Sequence, residues 1–205
     1  MPMIEALLTI YRLKDIPRAG WLLRGIREPE SVADHSWATA FLCYLYAPLA
    51  GADPARSMAI ALLHDIAESV TGDLPRRVDP APDAPSAERK AELERAAFET
   101  LFPIGSPRAE EVRALWDEYE SDATLDARFA RDMNLVDMCL QALLYESEQR
   151  YDPVACAQNF PRFNNLDEFF ETSRPRMTTE VGRRLFQEIE ARYRGLRSEA
   201  GRSNL

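Results

Sequence analysis

The stretch Leu62–Asp73, LLHDIAESVTGD, sets a histidine beside an aspartate near the end of an apolar run with helical spacing. His64 is one of two histidines in the chain. The other, His35, also follows an aspartate, in SVADHSWATAFL, Ser31–Leu42. Adjacent residues on a helix point about 100° apart. His64 and Asp65 can therefore serve one ion only at the seam between their directions, with further ligands arriving from a neighbouring helix.

Apolar residues recur three and four positions apart along nearly the whole sequence and alternating runs are lacking, so the expected fold is all-α, a single compact helical bundle. A first helix is expected over about Ile4–Leu13, followed by DIPRAGWLLRGIREPE, where Pro17, Gly20, Gly25 and Pro29 interrupt helical structure. Ser31 and Asp34 have the spacing of a capping box, opening a helix to about Leu49. Asp53 and Pro54 open the next, expected to run through the histidine to about Val70, where Gly72 stops it. Leu74–Ser86, LPRRVDPAPDAPS, carries four prolines in thirteen residues and reads as a loop, either a lid or a plain surface link. Helices resume over AERKAELERAAFETLF, PRAEEVRALWDEYES and DARFARDMNLVDMCLQALLYESEQRY, the last with an apolar stripe that includes Leu135, Met138, Leu140 and Leu143. A final helix follows Thr178–Thr179 and reaches about Gly195. Trp37 and Trp116 are expected in the core.

Length and composition bound the function. The 205 residues suit one domain, with a metal-site core expected over about 13–145 and C-terminal helices over about 167–198 packing on it. No apolar run approaches the roughly 20 residues of a membrane span, and MPMIEALLTIYRLKD does not read as a secretory leader. Three scattered cysteines, Cys43, Cys139 and Cys156, without CxxC spacing, argue against a disulfide framework or thiolate zinc site and fit the cytoplasm. The formal charge of −9 argues against a nucleic acid polymer as partner. A small anionic substrate, held by a few arginines or by a cation in a carboxylate-rich pocket, remains open.

Within that frame His35, His64 and Asp65 are candidate ligands of one divalent metal ion, and Asp137 is the candidate fourth ligand. Asp137 stands in the apolar run NLVDMCLQALL, where an unpaired carboxylate is costly. Imidazole with carboxylate suits zinc, manganese, iron or cobalt more than calcium, and two histidines are few for a two-metal centre. Glu68 shares a helical face with His64, and Asp73 follows five residues later. These two carboxylates suit proton transfer to and from a metal-activated phosphate ester. Arg18 can clamp a phosphate, and Trp21 can pack against a base or sugar. Each residue also has a plainer reading: hydrogen-bonded structural histidines, a paired carboxylate at Asp137, turn and helix-end acids at Glu68 and Asp73, and a core tryptophan at Trp21.

LKDIPRAGWLLRGIREPESVADHSWATA, Leu13–Ala40, together with LLHDIAESVTGDLP, Leu62–Pro75, and the later Asp137, resembles the HD-domain metal-dependent phosphohydrolases, and within them the 5'-deoxynucleotidase branch. The resemblance implies a helical bundle of the HD-domain type that dimerises. It implies hydrolysis of deoxyribonucleoside 5'-monophosphates to deoxynucleoside and phosphate with a divalent ion such as cobalt or manganese. The ligands would be His35, His64, Asp65 and Asp137, the catalytic carboxylates Glu68 and Asp73. Arg18 would bind the phosphate, Trp21 would lie against the sugar where a 2'-hydroxyl is disfavoured, and Arg76 would be a further substrate contact. Ala19 and Gly20 separate Arg18 from Trp21, as in the eukaryotic members, and the Arg76–Arg77 pair is more basic than its counterparts. The competing readings are an HD phosphohydrolase acting on a nucleoside triphosphate, cyclic nucleotide or alarmone, and a non-catalytic nucleotide-binding protein with a structural metal.

Overall fold

The computed structural model describes residues 3–75, 77, 85–105, 108–160, 162–163 and 165–203. Among them are eleven α-helices: α1 (Met3–Tyr11), α2 (Ala19–Leu22), α3 (Val32–Ala50), α4 (Pro54–Leu63), α5 (Glu68–Thr71), α6 (Ala87–Leu101), α7 (Ala109–Glu120), α8 (Leu125–Ser147), α9 (Pro153–Asn159), α10 (Asp167–Ser173) and α11 (Glu180–Ser203). The described residues contain no β-strand, only one isolated bridge between Pro17 and Ser31. None of the helices is long and apolar enough to cross a membrane.

The helix starts are set by local chemistry. Ser31 Oγ accepts from the Asp34 amide at 3.1 Å while Asp34 Oδ2 accepts from the Ser31 amide at 2.9 Å, so the capping box is complete. It fixes the entry of α3 and turns His35, in the next position, into the core with no exposed surface. At α4, Asp53 Oδ1 accepts from the amides of Ala55 and Arg56 at 2.8 and 3.2 Å, with Pro54 at the first helical position.

α3 packs along α4 and α8, and α11 closes over α8. The main core runs through Cys43, Ile60, Phe129, Met133, Val136 and Phe170, all essentially inaccessible. A second cluster, Leu13, Val32, Ile66, Phe98 and Trp116, backs the His64–Asp65 turn from the α6 and α7 side. Each such side chain contributes roughly 1.5–3 kcal/mol by leaving water. The two histidine-bearing segments are thus held between two apolar clusters.

The structure departs from the expectations in several places. The helix expected to reach Val70 ends at Leu63, and the His64–Ala67 turn carries Ile66 N→Leu63 O and Glu68 N→Asp65 O bonds before α5 begins. Trp37 is 65% exposed rather than core, lying parallel to Phe41 with ring centroids 5.6 Å apart. α3 is apolar around most of its circumference, so its periodicity does not mark an inner face. Leu140 also leaves its stripe for the surface. The lid reading of the proline-rich loop falls largely on residues outside those described, as does Arg76.

The attachment of α11 rests on Asp132 of α8, which is fully buried. Its carboxylate accepts from the Thr178 and Thr179 amides at 2.9 and 2.7 Å and from both hydroxyls at 3.2 and 2.7 Å. Gly182 is pressed against it, and a Cβ there would lie 2.3 Å from Oδ2. Gly182→Ala is expected to lower the unfolding free energy by about 1–3 kcal/mol through overpacking. Asp132→Ala should cost a similar amount by stranding buried donors. Urea denaturation checks both, and a wild-type midpoint for either variant would contradict this account of the α8–α11 joint.

Candidate metal centre

The break after Leu63 does what a continuous helix would not. It brings His64 Nε2 to 3.1 Å from Asp65 Oδ2, although the residues are adjacent. The His64 ring is oriented by Nδ1 donating to the Ala61 carbonyl at 2.6 Å, the acceptor that a continued helix would engage with the Asp65 amide. A carbonyl can only accept, so Nδ1 carries the hydrogen and Nε2 presents a lone pair. From α3, His35 brings Nε2 to 3.3 Å from His64 Nε2 and 3.7 Å from Asp65 Oδ2.

Two ring nitrogens and a carboxylate oxygen therefore converge in a nearly dry pocket. Among the described residues His35, His64 and Asp65 form one of two groups able to hold a metal ion. Their mutual repulsion is relieved by a shared proton or by a cation. The separations of 3.1–3.7 Å are those of ligands set tetrahedrally at ~2.1 Å around one ion. The donor set thus fits a divalent transition metal.

Asp137, on α8, approaches His35 from the opposite edge of the ring, with Oδ2 2.6 Å from Nδ1. With Glu30 and His35 it makes up the second group rather than joining the first. Burial pushes Asp137 up to about 7. Burial, with repulsion from Asp137, does the same to Glu30, also to about 7. Burial and the neighbouring Arg18 push His35 down to about 3. Burial opposes ionisation of Asp65, but His64, Arg18 and His35 outweigh it and hold the group below the usual carboxylate range.

A carboxylate cage surrounds Arg18, whose Nη1 lies 3.3 Å from Asp65, 3.3 Å from Asp73 and 3.9 Å from Glu68. Both oxygens of Asp73 are engaged, Oδ1 by Arg18 and Oδ2 by the Ala19 amide at 2.6 Å. Glu68 is buried and its Oε2 has no hydrogen-bond partner. Burial, then repulsion from Asp65 and Asp73, raises its proton affinity well above that of an ordinary glutamate.

A cavity opens beside Arg18 and Asp73, walled by Trp21, Pro75, Phe160 and Phe169. Trp21 is 1% exposed, stacked on Phe169 at 3.9 Å, edge-on to Tyr145, and donates Nε1–H to Glu30 at 2.8 Å. The wall continues with stacked cations: the Arg24 guanidinium lies over both Phe169 and Phe160, and that of Arg77 also lies over Phe160. The structure thus brings Arg18, Trp21, Glu68 and Asp73 around the histidines. Sequence reasoning missed Glu30, Arg24, Phe160 and Phe169; the only local hint is the basic-aromatic content of α2 and of the segment after α8.

A family model described as HD domain matches residues 10–170, most of the chain. The chain belongs to the HD domain family. Among curated relatives of this HD chain, the 5'-deoxynucleotidase HDDC2 of Xenopus laevis is 34% identical over 149 residues, spanning 72% of this chain and 71% of that protein. The 5'-deoxynucleotidase hdd1 of Schizosaccharomyces pombe is 37% identical over 146 residues, 67% and 69% of the two chains. Among solved structures, the PH0347 protein from Pyrococcus horikoshii superposes with a TM-score of 0.70 at 30% identity, covering 93% of this chain and 98% of that one.

The centre makes a pH-dependent prediction for metal-stripped protein. Asp137 holds its proton more tightly folded than unfolded, so its contribution to stability is complete below about 3.8 and is lost as pH rises through about 7. Asp137→Asn removes that dependence. Relative to wild type the variant should gain stability between pH 5 and pH 8, read from urea midpoints. A difference that stays constant with pH would refute the assignment.

Proposed function

We propose that this HD protein hydrolyses deoxyribonucleoside 5'-monophosphates to deoxynucleoside and phosphate. The observation that carries the reading is the convergence of His35, His64 and Asp65 beside Arg18, Glu68 and Asp73, in a chain whose curated relatives are named 5'-deoxynucleotidases. One divalent ion, cobalt, manganese or another transition metal, would be held by His35, His64 and Asp65, with Asp137 as the fourth ligand once it leaves His35 Nδ1. The first three present donor atoms to one point and Asp137 stands against His35. When bound, the ion supplies Lewis-acid polarisation of a phosphate oxygen.

The protein's own groups divide the remaining work. Arg18, anchored by Asp73, neutralises phosphate charge and orients the ester. Glu68 is the proton carrier, because its surroundings favour the protonated form and one oxygen is free of hydrogen bonds. Asp73, with both oxygens engaged, acts by holding Arg18 and the Ala19 backbone. The deoxynucleoside lies on the side of the adjoining cavity, with its sugar toward Pro75 and the buried Trp21 behind it; the cavity, about 60 Å³, has to widen to admit it. Arg76 remains a candidate contact from the sequence resemblance, and three free, buried cysteines suit a cytoplasmic protein.

A second copy of the chain is proposed to cover the outer face of α3. Trp37, Phe41, Tyr44, Leu45 and Leu49 are exposed there at helical spacing and make an apolar ridge of the kind that marks an interface. Sedimentation should report a homodimer that Phe41→Arg converts to monomer. A wild-type monomer at micromolar concentration would remove the dimer.

The activity is tested by phosphate release from a panel of deoxy and ribo 5'-mononucleotides, using metal-stripped protein resupplied with cobalt, manganese, magnesium or zinc. Deoxymononucleotides should be turned over, His64→Ala should lose both activity and bound metal, and Glu68→Gln should lower kcat by about 100-fold. Turnover of triphosphates or cyclic nucleotides with none of monophosphates would replace this reading. Metal binding without turnover of any nucleotide would favour a non-catalytic binding protein.

A further inference from the structure

The chemistry proposed above gives no role to Lys90, a cation beside Glu68. Lys90 stands in the first turn of α6, where an ammonium opposes the positive end of the helix dipole, so the position is unfavourable on α6's own account. Its contacts lie mostly elsewhere. Nζ donates to the Leu74 carbonyl at 2.8 Å, lies 3.9 Å from Glu68 Oε1, and pairs with Glu94 of its own helix at 3.4 Å. Leu74 directly follows Asp73, whose carboxylate is bonded to the Ala19 amide and Arg18. Glu68 is therefore flanked by two cations, Arg18 at Oε2 and Lys90 at Oε1, each 3.9 Å away.

A compact ammonium with three donors suits this geometry, since it meets a carbonyl and two carboxylates in different directions. An ordinary surface ion pair contributes little. Lys90 differs because its hydrogen bond goes to the backbone of the segment carrying Asp73, while its charge reaches a buried glutamate from another element.

We propose that Lys90 is a positioning residue of the hydrolytic site, clamping the Asp73–Leu74 backbone against Glu68. The proton carrier and the Asp73–Arg18 pair then keep a fixed separation. The catalytic consequence rests on the phosphohydrolase reading; the clamp itself does not.

The test compares Lys90→Met, which keeps the stem and removes the charge, with Lys90→Gln and Lys90→Arg. Arg89→Met serves as control, because Arg89 is on the same turn but exposed and paired only with Glu92 among its ion pairs. In Lys90→Met, kcat on a deoxymononucleotide should fall about tenfold or more while KM moves less than about threefold, as misplacement of catalytic groups predicts. Lys90→Arg should recover part of the loss, and Arg89→Met should match wild type. Independently of turnover, hydrogen exchange in the peptide covering residues 72–74 should speed up about tenfold in Lys90→Met, with the melting temperature little changed. Lys90→Gln supplies the same readings if the methionine variant is unstable. Unchanged exchange at 72–74 overturns the clamp. A kcat within about twofold of wild type, or an equal loss in Arg89→Met, overturns its catalytic role. If wild-type protein hydrolyses no nucleotide, the function proposed above falls, and the exchange result alone decides the clamp.

Discussion

The site depends on one electrostatic constraint: three potential donor atoms for a cation, His35 Nε2, His64 Nε2 and Asp65 Oδ2, are held within 3.7 Å of one another where little water reaches. Such a cluster repels itself, and the surrounding fold has to hold it together. The Ala61 carbonyl fixes one ring and Asp137 the other, and each anchor is itself fixed by α4 or α8. The two apolar clusters on either side prevent the rings from swinging out. Packing energy thus maintains a polar arrangement that relaxes only when a positive charge enters.

The same logic explains the distribution of charge around it. Asp65, Glu68 and Asp73 are gathered about Arg18, with Lys90 beyond Glu68, so three carboxyl groups face two cations before any ion or substrate arrives. A divalent cation held there would tip that balance, so that a phosphate dianion could reach Arg18 without excess repulsion from the carboxylates. An overall charge of −9 is therefore compatible with an anionic substrate. What matters is the charge within a few ångströms, in a low-dielectric setting where it is weakly screened.

Much of this was legible because local rules act at the decisive positions. The capping box at Ser31–Asp34 separates the roles of two aspartates that look alike in the sequence: Asp34 satisfies a helix end, while Asp65 faces the histidines. The all-helical fold followed from spacing alone. The break after Leu63 was not legible, because LLHDIAES has no proline or glycine, and the turn is fixed by side chains that must meet across elements. Trp37 was misread since hydropathy cannot tell a core face from an uncovered one. Asp132 was passed over because its partners, Thr178 and Thr179, lie 46 and 47 residues away. α9 escaped notice although Asp152–Pro153 repeats the start signal of α4.

The break at His64 also explains why adjacent residues suffice for two donors. In an unbroken helix, neighbouring side chains diverge by about 100° and serve different faces. Tightening to i→i+3 bonds over His64–Ala67 overwinds that stretch and releases the Ala61 carbonyl to orient the imidazole, whose Nε2 then meets Asp65 Oδ2 at the seam between the two side-chain directions. Glu68, beginning the next short helix, then arrives beside Arg18 rather than on the far side of α4. One local irregularity thus sets both the donor pair and the position of Glu68. The site is consequently sensitive to backbone geometry over these few residues, and Lys90 and Asp73 hold the segment that immediately follows.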